Sequence, residues 1–313
     1  MERYEIETFL TLAEELHFRR TSERLGLSTG RVSQTVKRLE RRVGVPLFER
    51  TSRQVALTTT GQQLRDDLRP AYQSLQQAVA RAIEFGRGVR FTLHVGYSTP
   101  WVADLLGLAA DAFRGCRPDC EVEIHEIQIG DPLGGLRSGA IDLQISALPI
   151  SEPDLTIGPV ILAEPRALMV PARHPFAHRD TVSMEDLADT PLLSIRGAVP
   201  PYWLDFHLPS HTPGGRPIPQ GPTATYRTEI PTLVAAGRGV SPVAARGRHY
   251  YARPGIAFVP FRDAPPIEYS LIRPTGKDSV LLQAFITTLL EVAAAQRENS
   301  SGGGGAASAA PGR

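Results

Sequence analysis

The sequence is poor in cysteine, in aromatic residues and in net charge. It contains two cysteines among 313 residues, which excludes a disulfide-rich secreted scaffold and favours a protein of the reducing cytoplasm. Two interpretations stay open for Cys116 and Cys120: a redox-sensing pair, or two reduced cysteines that pack as small hydrophobic residues. The formal net charge is only +1, so any affinity for nucleic acid has to come from a local charge excess.

Long hydrophobic runs are also missing. The N-terminus has no basic segment followed by an apolar one, so we expect no secretory signal. The most apolar stretch, residues 281–295, is interrupted by four polar side chains, and it predicts an amphipathic helix rather than a membrane span. The interrupting residues are Gln283, Thr287, Thr288 and Glu291. We therefore expect a protein without membrane association.

Positive charge is concentrated in one segment of this nearly neutral chain. Residues 18–53 contain ten lysines or arginines and three glutamates, a local excess of seven positive charges. Such an excess is typical of a phosphate-binding surface. A charge-rich helix is more often a solvated face with no ligand, however, so the local structure of the segment has to decide between the two interpretations.

The same segment has the pattern of a helix-turn-helix. Ser28 is a suitable N-cap for a helix over residues 29–43, and Gly44 suits its C-terminal end. The buried face of this helix is predicted to contain Val32, Val36, Leu39 and Val43. An upstream helix is predicted to bury a stripe formed by Ile6, Phe9, Leu10, Ala13 and Leu16. A short helix near residues 20–26 and a turn connect the two, which completes the motif.

The exposed face of the second helix and the segment after it form the predicted DNA-binding surface. The N-terminal half of such a helix enters the major groove, where Gln34 is suited to adenine and Ser33 to either base of a pair. A basic extension follows, ahead of a β-like segment at residues 54–57, and it predicts a wing that contacts the DNA backbone or the minor groove. The predicted DNA-binding residues are Ser28, Thr29, Gly30, Arg31, Ser33, Gln34, Lys37, Arg38, Arg50, Thr51 and Arg53.

The first sixty residues resemble a known family at fixed spacing. The matching positions are residues 13–18 (AEELHF), Leu25, Ser28, residues 39–40 (LE), residues 44–50 (GVPLFER), residues 57–58 (LT) and Gly61. In this pattern the chain is similar to LysR-type transcriptional regulators. The resemblance implies an all-α winged helix-turn-helix followed by an effector domain of two periplasmic-binding-protein-like α/β subdomains. It also implies a homodimer or homotetramer on double-stranded promoter DNA.

Residues 58–86 carry apolar side chains at alternating steps of four and three. This heptad spacing predicts a helix that pairs with a second copy, because DNA half-sites require two recognition helices at a fixed separation. One long helix packed on its own chain is the alternative. Pro70 interrupts the pattern, and a hinge is expected at residues 86–88. The predicted dimerisation residues are Leu64, Leu68, Ala71, Leu75, Ala78 and Ala82.

Beyond the hinge, strand-like and helical patterns alternate, which predicts an α/β fold with parallel sheets flanked by helices. The resemblance implies that the chain crosses twice between two subdomains, near residues 163 and 264. The expected domains are a DNA-binding domain at 1–60, a linker helix and hinge at 61–88, subdomain I at 89–163 and 265–297, subdomain II at 164–264, and a disordered tail at 298–313.

A ligand site is expected at the carboxyl end of the first strand of this α/β region. Ser98 and Thr99 follow that strand and precede a helix, so their hydroxyls and the free helix amides suit a carboxylate. A plain N-cap without a ligand is the alternative for Ser98. The resemblance implies further effector contacts from Gln128, Ile129, Arg196 and Thr225.

Catalytic, metal and cofactor motifs do not stand out. The pairs His174/His178 and His207/His211 are separated by prolines and have no third ligand nearby, so we expect no metal site and no cofactor. No nucleophile, base and acid arrangement follows from spacing, so we expect no enzyme. The sequence predicts a transcriptional regulator controlled by a small anionic effector. An enzyme with a regulatory DNA-binding appendage and a constitutive architectural DNA binder are the alternatives.

Overall fold

The computed structural model describes residues 2–50, 55–86 and 91–302. The described residues form two compact units, of which the first contains the chain up to residue 87 and the second contains most of the remainder. The elements of the first unit are α1 (Arg3–Glu15), α2 (Phe18–Leu25), α3 (Thr29–Val43), β1 (Phe48–Arg50), β2 (Val55–Leu57) and α4 (Thr59–Gly86). The two short strands pair in antiparallel register, with Phe48 opposite Leu57.

The first unit has an apolar core between α1, α3 and the start of α4. Its buried residues include Phe9, Leu10, Leu12, Ala13, Val36, Leu39, Leu47 and Phe48. Two residues of the predicted stripes are exposed instead, Leu16 by 42% and Val43 by 41%. Both stand where a helix ends: Leu16 is the C-cap of α1 and has a left-handed backbone, and Val43 directly precedes the left-handed Gly44. The side chains at these ends therefore leave the core.

Gly61 is required by a close approach of the backbone. A Cβ at this position would lie 2.1 Å from the carbonyl oxygen of Leu47, so any side chain would displace the start of α4 from the strand β1 region. Thr58 completes the junction, because its hydroxyl donates to the carbonyl of Pro46 at 2.9 Å and accepts the amide of Gly61 at 3.0 Å. These contacts explain why Thr58 and Gly61 belong to the matching sequence pattern.

The predicted dimerisation residues of α4 differ in burial between the two halves of the helix. Leu64 and Leu68 are partly buried against the core of their own unit, and Tyr72 is buried there, so the assignment of these two leucines to an interchain seam stays a prediction. Further along, Leu75 is 53% exposed and Val79, which the heptad pattern omitted, is 50% exposed. Ala71 is also exposed, the helix is continuous through Pro70, and the side chains of Ala78 and Ala82 lie outside the described part of the chain.

The larger lobe of the second unit is built on a five-stranded sheet with the strand order β4-β3-β5-β12-β6. Its strands are β3 (Phe91–Tyr97), β4 (Cys120–Glu126), β5 (Leu143–Ala147), β6 (Leu155–Glu164) and β12 (Ile267–Pro274). The helices of this lobe are α5 (Pro100–Cys116), α6 (Gly134–Ser138) and α10 (Val280–Gly302). Helices α5 and α10 pack together on one face, with Phe113 and Phe285 in an edge-to-face contact.

The smaller lobe lies between the two crossings of the chain. It contains a three-stranded antiparallel sheet in the order β10-β7-β11 and a parallel pair, β8 and β9. The strands are β7 (Arg166–Pro171), β8 (Leu192–Ile195), β9 (Gln220–Ala224), β10 (Ser241–Ala244) and β11 (Ile256–Pro260). The helices are α7 (Pro201–His207), α8 (Glu229–Ala235) and α9 (Arg248–Tyr251). The chain enters this lobe after β6 and leaves it before β12.

The structure corrects the expectation of parallel sheets. Strand β3 is parallel to β4 and β5, but β12 returns from the smaller lobe and pairs in antiparallel fashion with both β5 and β6. Six elements of the second unit are not indicated by the sequence patterns, namely β6, β8, β9, α6, α7 and α9. Most of them are short, and α7 lies in a proline-rich stretch whose local pattern does not favour a helix.

Helix α10 belongs to the core of the larger lobe. By length and composition alone, its segment Val280–Glu298 is apolar enough to cross a membrane. Leu282, Phe285, Leu289 and Ala293 recur on one face, however, and are buried against α5 and the sheet. This arrangement is that of a core helix. The helix continues to Gly302, so the expectation of a disordered tail from residue 298 is wrong for residues 298–302.

Candidate nucleic-acid interface and ligand cavity

The helix-turn-helix has the geometry that the sequence predicted. Helix α2 ends at Gly26, whose φ of +64° turns the chain, and Ser28 caps α3 because its hydroxyl accepts the amide of Arg31 at 3.3 Å. The hydroxyls of Ser22 and Thr29 lie 3.3 Å apart and join the two helices across the turn. These contacts fix the N-terminal half of α3, which is the part that approaches base edges in such motifs.

The predicted contact residues of α3 share one accessible face. Gln34 is exposed, and Ser33 is half-buried beside it. The remaining predicted residues on this face are all exposed: Ser28, Thr29, Gly30, Arg31, Lys37 and Arg38. A shallow groove runs along α3 towards the turn after it, and it is lined by Gln34, Lys37, Arg38, Glu40, Arg41, Gly44, Val45 and Pro46.

The positive charges of this unit fall into two groups. On α2 they are paired, since Arg24 lies 2.8 Å from Glu14 and Arg19 lies 3.0 Å from Glu23. On α3, Arg42 is paired with Glu5 at 3.0 Å, whereas Arg31, Lys37 and Arg41 have no carboxylate partner within the described part of the chain. Unpaired cations beside Gln34 keep their full charge for phosphate, so the local excess of charge is concentrated on the face of α3.

The wing is fixed to α3 by Glu40. Its carboxylate Oε1 accepts the amides of Leu47 at 3.0 Å and Phe48 at 3.3 Å, which explains the glutamate in the matching sequence pattern. The backbone of Arg50 ends strand β1, but its side chain lies outside the described part of the chain, as do Thr51 and Arg53 in residues 51–54. Their assignment to DNA stays a prediction.

A cavity of about 100 Å³ lies in the second unit between its two lobes. The larger lobe contributes the end of β3, the start of α5 and the segments after β4 and β5. The smaller lobe contributes β8, α7, α8 and β10. Four of the six predicted effector residues line this cavity: Ser98, Thr99, Gln128 and Ile129. The volume is about two thirds of the 150 Å³ of an engineered cavity that binds benzene, so it suits a small molecule.

Several buried polar groups around this cavity have no hydrogen-bond partner of good geometry within the described residues. They are the Ser98 and Thr99 hydroxyls, the Trp101 indole N–H, the Tyr251 hydroxyl and Nε of Arg227. Thr99, rather than Ser98, is the N-cap of α5, and its hydroxyl does not cap the helix. The N-cap explanation for Ser98 is therefore wrong. Thr99 also lies beside Tyr269 and Arg227 beside Tyr251, so these groups form one polar cluster that suits a polar ligand.

The charge of the cavity wall is positive. Arg227 is the one formally charged side chain among the described residues that line it, and no carboxylate lines it. Sequence reasoning had proposed Arg196 and Thr225 instead, but both are exposed and neither lines the cavity. The resemblance pointed to the run from Thr225 to Arg227, and within this run Arg227 is the residue that lines the cavity.

Helix α7 brings two further residues that sequence reasoning missed. Trp203 and His207 stack with ring centroids 4.1 Å apart and bond across the cleft to the backbone after β5. The Trp203 indole donates to the carbonyl of Ala147 at 3.2 Å, and His207 Nε2 donates to the carbonyl of Leu148 at 3.0 Å. Burial, together with the Arg166 guanidinium, lowers the pKa of His207 to about 3, so this imidazole is neutral at pH 7.

A helix-turn-helix joined to a two-lobed α/β unit that encloses a small cavity defines a class of protein: a ligand-responsive DNA-binding regulator. Comparison with known families agrees. Residues 4–62 match the bacterial regulatory helix-turn-helix protein family of lysR type, and residues 86–294 match the LysR substrate-binding domain. The chain belongs to the LysR family of transcriptional regulators, which combine a DNA-binding domain with an effector-binding domain.

Individual relatives are moderately similar. The transcriptional regulator AlsR of Bacillus subtilis (strain 168) is 30% identical over 242 residues, which cover 77% of this chain and 80% of that protein. The dual regulator OxyR of Escherichia coli (strain K12) is 32% identical over 191 residues, which cover 61% and 62%. The crystal structure of the LysR-family regulator CbnR has a TM-score of 0.66 at 23% identity and covers 94% of this chain and 99% of that chain, which supports the fold.

Proposed function

We propose that this regulator recognises its promoter DNA with the exposed face of α3 and responds to a small organic anion held in the cavity between the lobes. In this proposal the protein acts in the cytoplasm and catalyses no reaction on its effector. The bound molecule has an acidic group and a compact apolar body. The observation that carries the proposal is Arg227, the one formally charged side chain among the described residues that line the cavity, which shares the wall with the hydroxyls of Ser98 and Thr99.

The acidic group of the effector is assigned to the polar end of the cavity. Ser98 and Thr99 present hydroxyls beside the N-terminus of α5, where the helix dipole favours negative charge. Arg227 faces the same space from the smaller lobe. A charge-assisted hydrogen bond to guanidinium is about twice as strong as a neutral one, so an anion bound there draws on both lobes at once.

The apolar body of the effector is assigned to the apolar side chains that line the cavity. They include Ile127, Ile129, Leu193, Ile195 and Trp203. Trp203 belongs to the α7 contact that joins the lobes, so a molecule against it has different contacts when the lobes change position. An effector shifts a conformational equilibrium only by its differential affinity for the two states, and a site shared by two lobes provides such a difference.

Oligomer formation is assigned to the outer half of α4. Leu75 and Val79 are one turn apart and half exposed, whereas Leu64 and Leu68 already have partners in their own unit. An exposed apolar pair on a regular helix is suited to pairing with the same helix of a second copy. A dimer of this kind presents two α3 helices to the two half-sites of an operator.

A thermal-shift screen tests the effector assignment. Full-length protein is heated with small aliphatic and aromatic carboxylates and with the amide of each acid, which keeps the shape and removes the charge. Acids are expected to raise the melting temperature by mass action and amides are not. Arg227→Gln should abolish the shift. Arg196→Gln is the matched control, because this exposed arginine does not line the cavity, and it should keep the shift.

If the amides stabilise the protein as strongly as the acids do, the negative charge of the effector is not required and that part of the proposal is wrong. Loss of the shift in Arg196→Gln but not in Arg227→Gln would restore the sequence-based assignment. The melting temperature of each variant without ligand is measured alongside, so that a general loss of stability is distinguished from a loss of binding.

A further inference from the structure

Two histidines and a glutamate that do not line the cavity converge on the larger lobe. Strands β3 and β4 pair in parallel register, with His94 opposite Glu123 and Gly96 opposite His125. The three side chains lie on the same face of this strand pair. All three remain accessible, with exposed side-chain fractions of 27% for His94, 48% for Glu123 and 43% for His125.

The ligand-type atoms of these residues form a nearly equilateral triangle. His94 Nδ1 lies 3.2 Å from His125 Nε2 and 3.4 Å from Glu123 Oε2, and His125 Nε2 lies 3.3 Å from Glu123 Oε2. In a tetrahedral zinc site with bonds of about 2.0–2.1 Å, neighbouring ligand atoms are about 3.3–3.4 Å apart. The three atoms therefore have the spacing of one face of a tetrahedron around a single ion.

We propose that His94, Glu123 and His125 form a binding site for a first-row divalent transition metal, with zinc as the reference ion. Two imidazole nitrogens and one carboxylate oxygen are a donor set that such ions accept, whereas Mg²⁺ and Ca²⁺ prefer oxygen ligands alone. Three protein ligands leave the fourth position of a tetrahedral ion to water or to a group from outside. This position faces solvent, because all three side chains are partly exposed.

The backbone around the triangle is well held. The amide of His94 donates to Asp142 Oδ2 at 3.0 Å, which joins β3 to the segment that precedes β5. Adjacent strands hold His94 and Glu123 directly opposite one another, and His125 follows Glu123 by two residues on the same face. An ion bound here would cross-link the edge strand β4 to its inner neighbour β3. Such binding favours the folded state by mass action.

Zinc binding by tag-free, full-length protein tests the site. Metal is removed with a chelator, and zinc is then titrated in competition with a chromogenic chelator of known affinity. One zinc per chain is expected. His125→Asn and Glu123→Gln should each weaken binding at least about tenfold, since even the loss of a group that only supports a metal ligand costs about 10–100-fold. X-ray absorption at the zinc edge should show nitrogen and oxygen ligands without sulfur.

Two control variants each remove an exposed metal-binding side chain outside the triangle. Cys116 is an exposed thiol, and His178 is an exposed imidazole outside the triangle. Cys116→Ser and His178→Asn are expected to bind zinc with the affinity of the unmodified protein. All four variants are melted in the presence of chelator, and equal melting temperatures show that a change in affinity belongs to the site. Absence of stoichiometric binding, sulfur ligation, or loss of binding in Cys116→Ser with retention in His125→Asn would each overturn the proposal.

Discussion

The candidate DNA interface and the candidate effector cavity use charge in opposite ways. The face of α3 presents several unpaired cations to solvent, where each one contributes a modest and salt-dependent attraction to phosphate. Among the described residues that line the cavity, Arg227 is the one cation, and it stands in a mostly apolar wall where the low dielectric strengthens each electrostatic contact. The first surface is suited to a long polyanion in many registers, and the second to one small anion in one position.

The two sites also differ in how their residues are brought together. The residues of α3 are neighbours in sequence, so exposure of one helix face is sufficient to bring them together. The cavity residues are spread from Ser98 to Tyr269 and come from both lobes. Substitutions on α3 should therefore act independently of one another, whereas substitutions around the cavity should change both ligand binding and the contact between the lobes.

The largest effect is expected from charges placed on the two halves of α4. Leu68→Asp puts a carboxylate against the core of the DNA-binding unit and should cost about 3 kcal/mol or more of unfolding free energy. Leu75→Asp changes a half-exposed residue, so the unit should stay folded and sediment as a smaller species. Chemical denaturation and sedimentation velocity measure the two effects. If the Leu68→Asp variant stays folded but dissociates into a smaller species, Leu68 belongs to the interchain seam.

Gln34→Ala should reduce specific DNA binding without a comparable effect on random DNA. The amide of Gln34 is exposed on α3 among unpaired cations, and a bidentate contact to a base contributes about 1–3 kcal/mol of discrimination. The operator is first selected from genomic fragments bound by the protein, and titrations then compare it with a scrambled duplex. Equal losses on both duplexes would assign Gln34 to the backbone instead.

Acidification should weaken the second unit through His207. Its pKa is lowered to about 3 in the folded protein, whereas an unfolded histidine titrates near 6.5, so the unfolded state binds the proton first as the pH falls. Stability is therefore full above about pH 6.5 and decreases towards pH 3, with a loss of about 2 kcal/mol at pH 5.

His207→Gln isolates this contribution, because a glutamine amide can still donate to the carbonyl of Leu148 and does not titrate. The difference between the unfolding free energies of the variant and the unmodified protein is measured from pH 5 to pH 8. A difference that stays constant over this range would show that His207 is not responsible for the loss.

The smallest effect is expected from a single cation of α3. Lys37→Ala should weaken binding to specific and random DNA alike and reduce the slope of log K against log salt concentration by about 1. Arg24→Ala is the control, since Arg24 is already paired with Glu14 and Glu15. An equal change of slope in both variants would mean that the ion pairs on α2 open when DNA binds.

The sequence predicted the parts of the molecule whose information is local. The N-cap at Ser28, the end of α3 at Gly44 and the buried positions Val36 and Leu39 follow from residue type and helical period. It also located the loop of Ser98 and Thr99, because that loop directly follows a recognisable strand. The exceptions at Leu16 and Val43 are residues at helix ends, where the helical period no longer sets the direction of a side chain.

Tertiary structure decided what depends on the meeting of distant segments. Arg227, rather than Arg196, faces the cavity, and α7 brings Trp203 and His207 to it from a stretch whose local pattern gives no sign of a site. His94 and His125 become neighbours only through the pairing of β3 with β4. Periodicity indicates which face of a segment is buried and which is exposed. Strand register and lobe packing depend on the whole chain, and they determined which side chains of this protein share a site.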